Sequence, residues 1–184
     1  MPNTPYRVSR SISSLESAIP AMVKFRAAEP REVRWDLLRE ELGVELPSDF
    51  RALAEAYPAL VLEDFLILHL PHPGEESRFV TDHRRAAVIL DDWRREGYAA
   101  DYVPFPEPGG LLLWGSSDVG DYFFWRTWSE SPDDWSIVVS GENGDWSEYH
   151  VGVVDFLASL YSDDLGLWGM PEGFPTNDPE VATF

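Results

Sequence analysis

Apolar side chains return every three or four positions in two early stretches of the chain. In PREVRWDLLREELG, Val33, Leu37, Leu38 and Leu42 fall on one helical face, with Pro30 at the start and Gly43 at the end. In ELPSDFRALAEAYP, Phe50, Leu53, Ala54 and Tyr57 do the same, behind Ser48 or Asp49 as N-cap and with Pro58 closing the element. The spacing predicts two helices joined by a short loop. Upstream, SISSLESAIPAMVKFRAA has scattered apolar positions around Pro20, which predicts a weak helix broken or begun at the proline. The period then changes: in ALVLEDFLILHLP a continuous, partly β-branched run from Phe65 to Leu70 is bounded by Pro71 and reads as a strand or strand pair. Helical spacing returns in VTDHRRAAVILDDWRREGYA, where Ala86, Ile89, Leu90 and Trp93 follow Thr81 or Asp82 as cap and the element ends near Gly97.

Past the proline-rich YVPFPEPGG come the runs LLLWG, GDYFFWRTW, DWSIVVSG and DWSEYH, separated by Gly, Asp and Ser; they predict an antiparallel meander. VGVVDFLASLYSD predicts a closing helix with Val154, Leu157, Ala158 and Tyr161 inward, and GMPEGFPTNDPEVATF is too rich in Pro and Gly for regular structure. Strands gathered together with helices at both ends make an α+β domain: N-terminal helices, a central, mostly antiparallel sheet and a closing C-terminal helix. The expected division is an extension with a weak helix at 1–29, one domain at 30–165, and an irregular tail at 166–184.

Composition narrows the partners. At 184 residues and 44% hydrophobic, the chain has enough apolar material for one domain with a substantial core. It lacks Cys, has no apolar run of the roughly 18 residues that a membrane helix needs, and shows no signal-peptide pattern; a cytoplasmic protein is expected. The 33 acidic and 14 basic residues give a formal net charge of −19. They are unevenly placed: residues 1–40 carry seven Lys/Arg and five Asp/Glu, whereas residues 96–184 carry 17 Asp/Glu and a single basic residue, Arg126. Such a surface repels nucleic acid and anionic membranes and attracts basic partners.

In LLLWGSSDVGDYFFW, Gly115 and Gly120 have phosphate-loop spacing, but Asp121 stands where the loop needs Lys and Tyr122 where it needs Ser or Thr. The stretch reads instead as a turn between strands ending at Trp114 and beginning near Asp121. Ser117 lacks the following glycine of a nucleophile elbow, since position 119 is Val. His69 and His72, near Glu75, Glu76 and His83, invite a metal reading, but Pro71 and Pro73 forbid the helix that would align them; a strand-end His and a solvated loop His are expected. No metal, cofactor or catalytic residue is assigned. Trp114, Trp125, Trp135 and Trp146 fall in successive expected strands as core residues, whereas Trp128, in RTWSESPDDW, is expected to be exposed.

Taken in order, LGVELPSDFRALAEAYP, LLLWGSSDVGDYFFW and DWSIVVSGENGDWSEYHVGVVDFLASL resemble the SUKH superfamily of Smi/Knr-type proteins, from about Trp35 to Leu160. The resemblance implies an α+β fold and, in bacteria, an immunity protein that binds and blocks a cognate toxin, commonly a nuclease. Eukaryotic relatives look like regulatory scaffolds, and a non-catalytic regulatory or scaffolding module is the alternative reading. Neither use requires catalysis, so the chain is not expected to be an enzyme. A nuclease toxin is usually basic, so the acidity agrees with such a partner. The expected partner-binding residues are Asp118, Asp121, Glu130, Asp133, Asp134, Glu142 and Asp145, with Trp128 as anchor.

Overall fold

The computed structural model describes residues 11–141, 144–162 and 173–183. Its helices are α1 (Ile12–Ala18), α2 (Trp35–Leu42), α3 (Ser48–Ala56), α4 (Glu76–Glu96) and α5 (Val153–Leu160), with a 3-10 turn at Pro20–Phe25 after α1. The strands are β1 (Leu60–Leu62), β2 (Leu66–Leu68), β3 (Leu111–Ser117), β4 (Tyr122–Arg126), β5 (Ser136–Ser140), β6 (Trp146–Tyr149) and β7 (Val181–Thr183). They form one antiparallel sheet in the order β6-β5-β4-β3-β2-β1-β7. The α+β architecture expected from the hydrophobic pattern is the one observed.

Strand alternation divides the core in two. Leu112, Trp114, Phe123, Trp125, Ile137 and Val139 face α1, α3 and α5, where Phe50 meets Trp125 edge-on at 4.7 Å and Trp114 meets Phe156 at 5.9 Å. Their neighbours Leu111, Leu113, Phe124 and Val138 face the other way, onto Ala86 and Leu90 of α4. The middle of the sheet is therefore apolar on both sides, each fully buried large side chain contributing roughly 1.5–3 kcal/mol of transfer free energy. Towards β1 and β2 the second side is less covered, and Val61 and Ile67 there are only half-buried.

Several local expectations are corrected. The second helix starts at Trp35, not Pro30, because the Arg31 guanidinium donates to the carbonyls of Ala54, Tyr57 and Pro71 and holds the preceding segment out of helical conformation. Neither Ser48 nor Asp49 caps α3, since Pro47 occupies that position; the Asp49 carboxylate accepts the Phe50 and Val154 N–H groups instead. Helix α4 begins at Glu76, ahead of Thr81 and Asp82, because Phe79 and Val80 pack into the first core and Glu76 accepts the Arg34 N–H. Trp135 precedes β5 rather than lying in it, yet is buried. The tail does contain regular structure: β7 pairs with β1, with buried Val181 opposite Leu62. Adding a strand there satisfies backbone groups that the edge of β1 would otherwise expose.

Candidate protein-binding face

One line of register crosses the sheet: Val181 opposite Leu62, Leu62 opposite Leu66, Leu66 opposite Ser117, Ser116 opposite Tyr122, Tyr122 opposite Ser140, and Ser140 opposite Trp146. The β1–β2, β3–β4 and β5–β6 turns therefore leave the sheet at the same end. This turn end carries the exposed carboxylates Asp64, Asp118, Asp145 and Glu180, and none of the ion pairs among the described residues involves any of them. Glu63, beside Asp64, is engaged differently, accepting the Thr176 N–H at 2.8 Å.

The β3–β4 turn is built by residues that the sequence offered as a site. The Ser117 hydroxyl donates to Asp121 Oδ2 at 2.7 Å and accepts the Asp121 N–H at 2.9 Å, while the Ser117 N–H donates to the Asp121 carbonyl at 2.9 Å. Gly120 completes the turn at a φ of 103°, a conformation that side-chain-bearing residues rarely adopt. Asp121 is only 1% exposed, so it shapes the turn instead of meeting a partner, which corrects its assignment as a binding residue. Gly115 also departs from expectation. The strand does not end at Trp114 but continues to Ser117, with a register shift between Leu113 and Gly115. A Cβ on Gly115 would lie 3.2 Å from the Ile67 carbonyl oxygen, so the residue permits close approach of strands rather than a turn. What the turn presents outward is Asp118 and Val119, the latter 52% exposed.

Beside Val119 lies an open aromatic cleft of about 640 Å³ bounded by Trp93, Tyr98, Ser140 and Trp146. Trp93 meets Trp146 edge-on at 6.0 Å and Tyr122 at 5.5 Å, and the Trp146 ring N–H donates to the Tyr98 carbonyl at 2.9 Å. Burial pushes the Tyr122 hydroxyl, packed behind Trp93, above its ordinary pKa. Tyr98 itself is 61% exposed. Exposed aromatic and aliphatic side chains with Asp118 and Asp145 on the adjoining turns are suited to anchoring and steering a basic protein.

The remaining candidates lie elsewhere. Trp128, Glu130, Asp133 and Asp134 belong to the β4–β5 connection, at the opposite end of strands five residues long, about 17 Å away at the usual rise. Trp128 is 54% exposed, as expected. Asp133 Oδ1 accepts the Ser48 N–H at 2.6 Å, which engages it at the start of α3; Glu130 and Asp134 are exposed. The structure thus brings Asp118 and Asp145 together, separates them from Trp128, Glu130, Asp133 and Asp134, and buries Asp121; Glu142 lies outside the described residues. Sequence reasoning missed Asp64, Glu180, Tyr98 and Val119. The available signal was the meander itself, in which alternate connections share an end.

His69 and His72 bond to different partners. His69 Nε2 is 2.8 Å from the Ser116 hydroxyl, whereas His72 Nδ1 lies against its neighbour's carbonyl, that of Pro73, at 2.9 Å. Among the described residues no group of three or more His, Cys, Asp or Glu is arranged to hold a metal ion, and no helix is long and apolar enough to cross a membrane.

Comparison with known proteins gives one family. The sequence model of SUKH_6, described as SMI1-KNR4 cell-wall, matches residues 34–153. No curated protein and no solved structure matches significantly.

Proposed function

The chain belongs to the SMI1-KNR4 family, which is associated with immunity proteins, and from that premise we propose that it neutralises a basic cognate toxin by docking its turn end over the toxin's active or nucleic-acid-binding surface. The observation that carries this reading is the set Asp64, Asp118, Asp145 and Glu180, exposed along the same end of the sheet that presents Val119 and, beside the β5–β6 turn, Tyr98, and outside every described ion pair. In the proposed mechanism these carboxylates take the place of phosphates on the basic surface and accelerate encounter, while Tyr98 and Val119 supply the apolar anchor. Non-catalytic binding of this kind asks nothing of the protein beyond a folded, complementary face.

The test is co-expression with the product of the adjacent gene, with growth rescue and complex formation as readouts. Rescue and a stable complex are expected. In that complex Asp118→Lys with Asp145→Lys should slow association by about tenfold or more at low salt, with the difference shrinking as salt is added. Reversal of Glu130 and Asp134 at the far end should leave the on-rate nearly unchanged. Absence of both rescue and complex would remove the immunity reading, whereas a complex whose on-rate ignores Asp118 and Asp145 would remove the turn end as the docking face.

A further inference from the structure

On the less covered side of β1 and β2 lies a second cleft, of about 480 Å³, between the sheet and the first half of α4. Its volume is in the usual range for small-molecule sites, roughly 300–1,000 Å³. The floor is apolar, with Val61, Ile67 and Phe79 among its residues. His72, Glu75 and Arg78 line it, and three further polar side chains form a chain of contacts in it. Ser116 projects from β3, and its hydroxyl is 2.8 Å from His69 Nε2. His69 follows β2, one residue beyond the strand, and its other ring nitrogen, Nδ1, is 3.7 Å from Asp82 Oδ2 on α4. Asp82 Oδ1 also lies 3.6 Å from Arg85. A hydroxyl bonded to one imidazole nitrogen with a carboxylate at the other is the relation of nucleophile, base and orienting acid.

We propose that Ser116, His69 and Asp82 form a hydrolytic triad that cleaves esters of short-chain carboxylic acids bound in this cleft. The proposal stands apart from toxin binding, since the cleft and the turn-end face share none of these side chains. Burial lowers the His69 pKa from its ordinary 6.5 against the opposing pull of Asp82, which keeps the ring neutral at pH 7 as a general base must be. With its proton on Nδ1, facing Asp82, the ring accepts the Ser116 hydroxyl proton at Nε2. The His69–Asp82 separation exceeds a hydrogen bond, as is common in catalytic groups before substrate closes the site. Arg78 lines the same cleft and takes part in no ion pair among the described residues. Its guanidinium is the positive charge available to a developing oxyanion.

In the first half of the reaction Ser116 Oγ bonds to the ester carbonyl carbon and its proton passes to Nε2 of His69. The carbon–alkoxy bond then breaks and the departing oxygen takes that proton, leaving as the alcohol with the acyl group on Ser116. Water next adds to the acyl carbon and gives a proton to His69; the bond to Ser116 Oγ breaks, Ser116 recovers the proton, and the carboxylic acid leaves. Ester and water become acid and alcohol with no other reactant.

The experiment uses the full chain with a fluorophosphonate probe, followed by intact mass and peptide mapping, and with p-nitrophenyl butyrate as reporter substrate. One adduct is expected, on Ser116, together with ester hydrolysis that disappears in Ser116→Ala. His69→Gln can still hydrogen-bond to Ser116 but cannot act as base, so labelling should slow by about 100-fold or more while circular dichroism stays native. Asp82→Asn should slow it by a smaller factor. Folded wild-type protein that takes no probe at Ser116, or labelling that proceeds equally fast in His69→Gln, would overturn the triad and leave an ordinary cross-strand hydrogen bond.

Discussion

Removal of the Asp49 carboxylate tests a polar tie between two helices. Asp49 Oδ1 accepts the Phe50 N–H at 2.7 Å, and Oδ2 accepts the Val154 N–H at 3.0 Å, so one side chain joins the first turns of α3 and α5. Gly152 is packed so closely that a Cβ there would fall 2.4 Å from Oδ2. Hydrogen bonds to a charged group are each worth about 1.5–3 kcal/mol, and a stranded donor costs a further 1–3 kcal/mol or so. Against that loss, Asp49→Ala relieves the desolvation that pushes the carboxyl above 3.8 and the repulsion from Asp155 and Asp133. The net expectation is a destabilisation of about 2–4 kcal/mol, read as a fall in Tm of roughly 4–15 °C for a chain of this size. Asp49→Asn keeps an acceptor for Val154 and should lose about half as much. The pH dependence has a definite sign. Because the folded pKa is raised, the native state holds the proton to higher pH than the unfolded chain, so this group's stabilisation declines as pH rises above 3.8 and is level beyond the folded pKa. The difference in urea stability between wild type and Asp49→Asn, followed by circular dichroism from pH 3.5 to 7, should shrink as pH rises, because the wild type loses ground as the carboxylate ionises. An Asp49→Ala variant within about 0.5 kcal/mol of wild type would refute the idea that this carboxylate couples the two helices.

His83 is buried against the Phe105 ring, and burial, aided by Arg84, lowers its pKa to about 4. The unfolded chain takes up this proton first as pH falls, so stability is lost between pH 6.5 and 4; from pH 7 to 5 the loss is about 2 kcal/mol and should be absent from His83→Leu in parallel urea titrations. Gly120→Ala forces a side chain onto a φ of 103° and should cost about 1–3 kcal/mol by thermal unfolding; an unchanged Tm would contradict the turn geometry. In a purified toxin complex, Tyr98→Ala should weaken binding about 30-fold and Trp128→Ala much less, by calorimetry. The reverse ranking would move the docking face to the β4–β5 end.

The central sheet was readable because both of its faces are buried. In β3, β4 and β5 every position carries a constraint, and the resulting aromatic and β-branched runs separated by Gly, Asp and Ser mark strands and turns alike. Helix limits were harder. Pro30 looked like a start because its φ suits one, but the three carbonyls collected by Arg31 are set by residues 23–40 positions away. The start of α4 was obscured because Phe79 and Val80 serve a different core from Ala86 and Leu90, so no single apolar stripe runs its length. Strand β7 is three residues long and exists by courtesy of the open edge of β1, a partner about 120 positions earlier that no local pattern reveals.

The site was legible in kind and not in place. Acidity and the absence of a phosphate-binding lysine in the β3–β4 turn are sequence properties, and they already point away from nucleotides and towards basic partners. Location depends on topology. In an antiparallel meander the connections alternate between two ends, so the β3–β4 and β5–β6 connections leave from the same end while the 127–135 connection cannot join them, whatever its charge. Burial then divides even neighbouring residues. Asp118 and Asp121 sit three apart in one turn, but a tight turn needs an internal acceptor for the Ser117 hydroxyl, and Asp121 is consumed in that role. The residue left outward, Asp118, gains its meaning from Asp64, Asp145 and Glu180, which come from three other segments of the chain. Only the pairing of β7 with β1, β1 with β2 and β2 with β3 sets those carboxylates along one end of the sheet, so the face is a product of the whole sheet and not of any one turn.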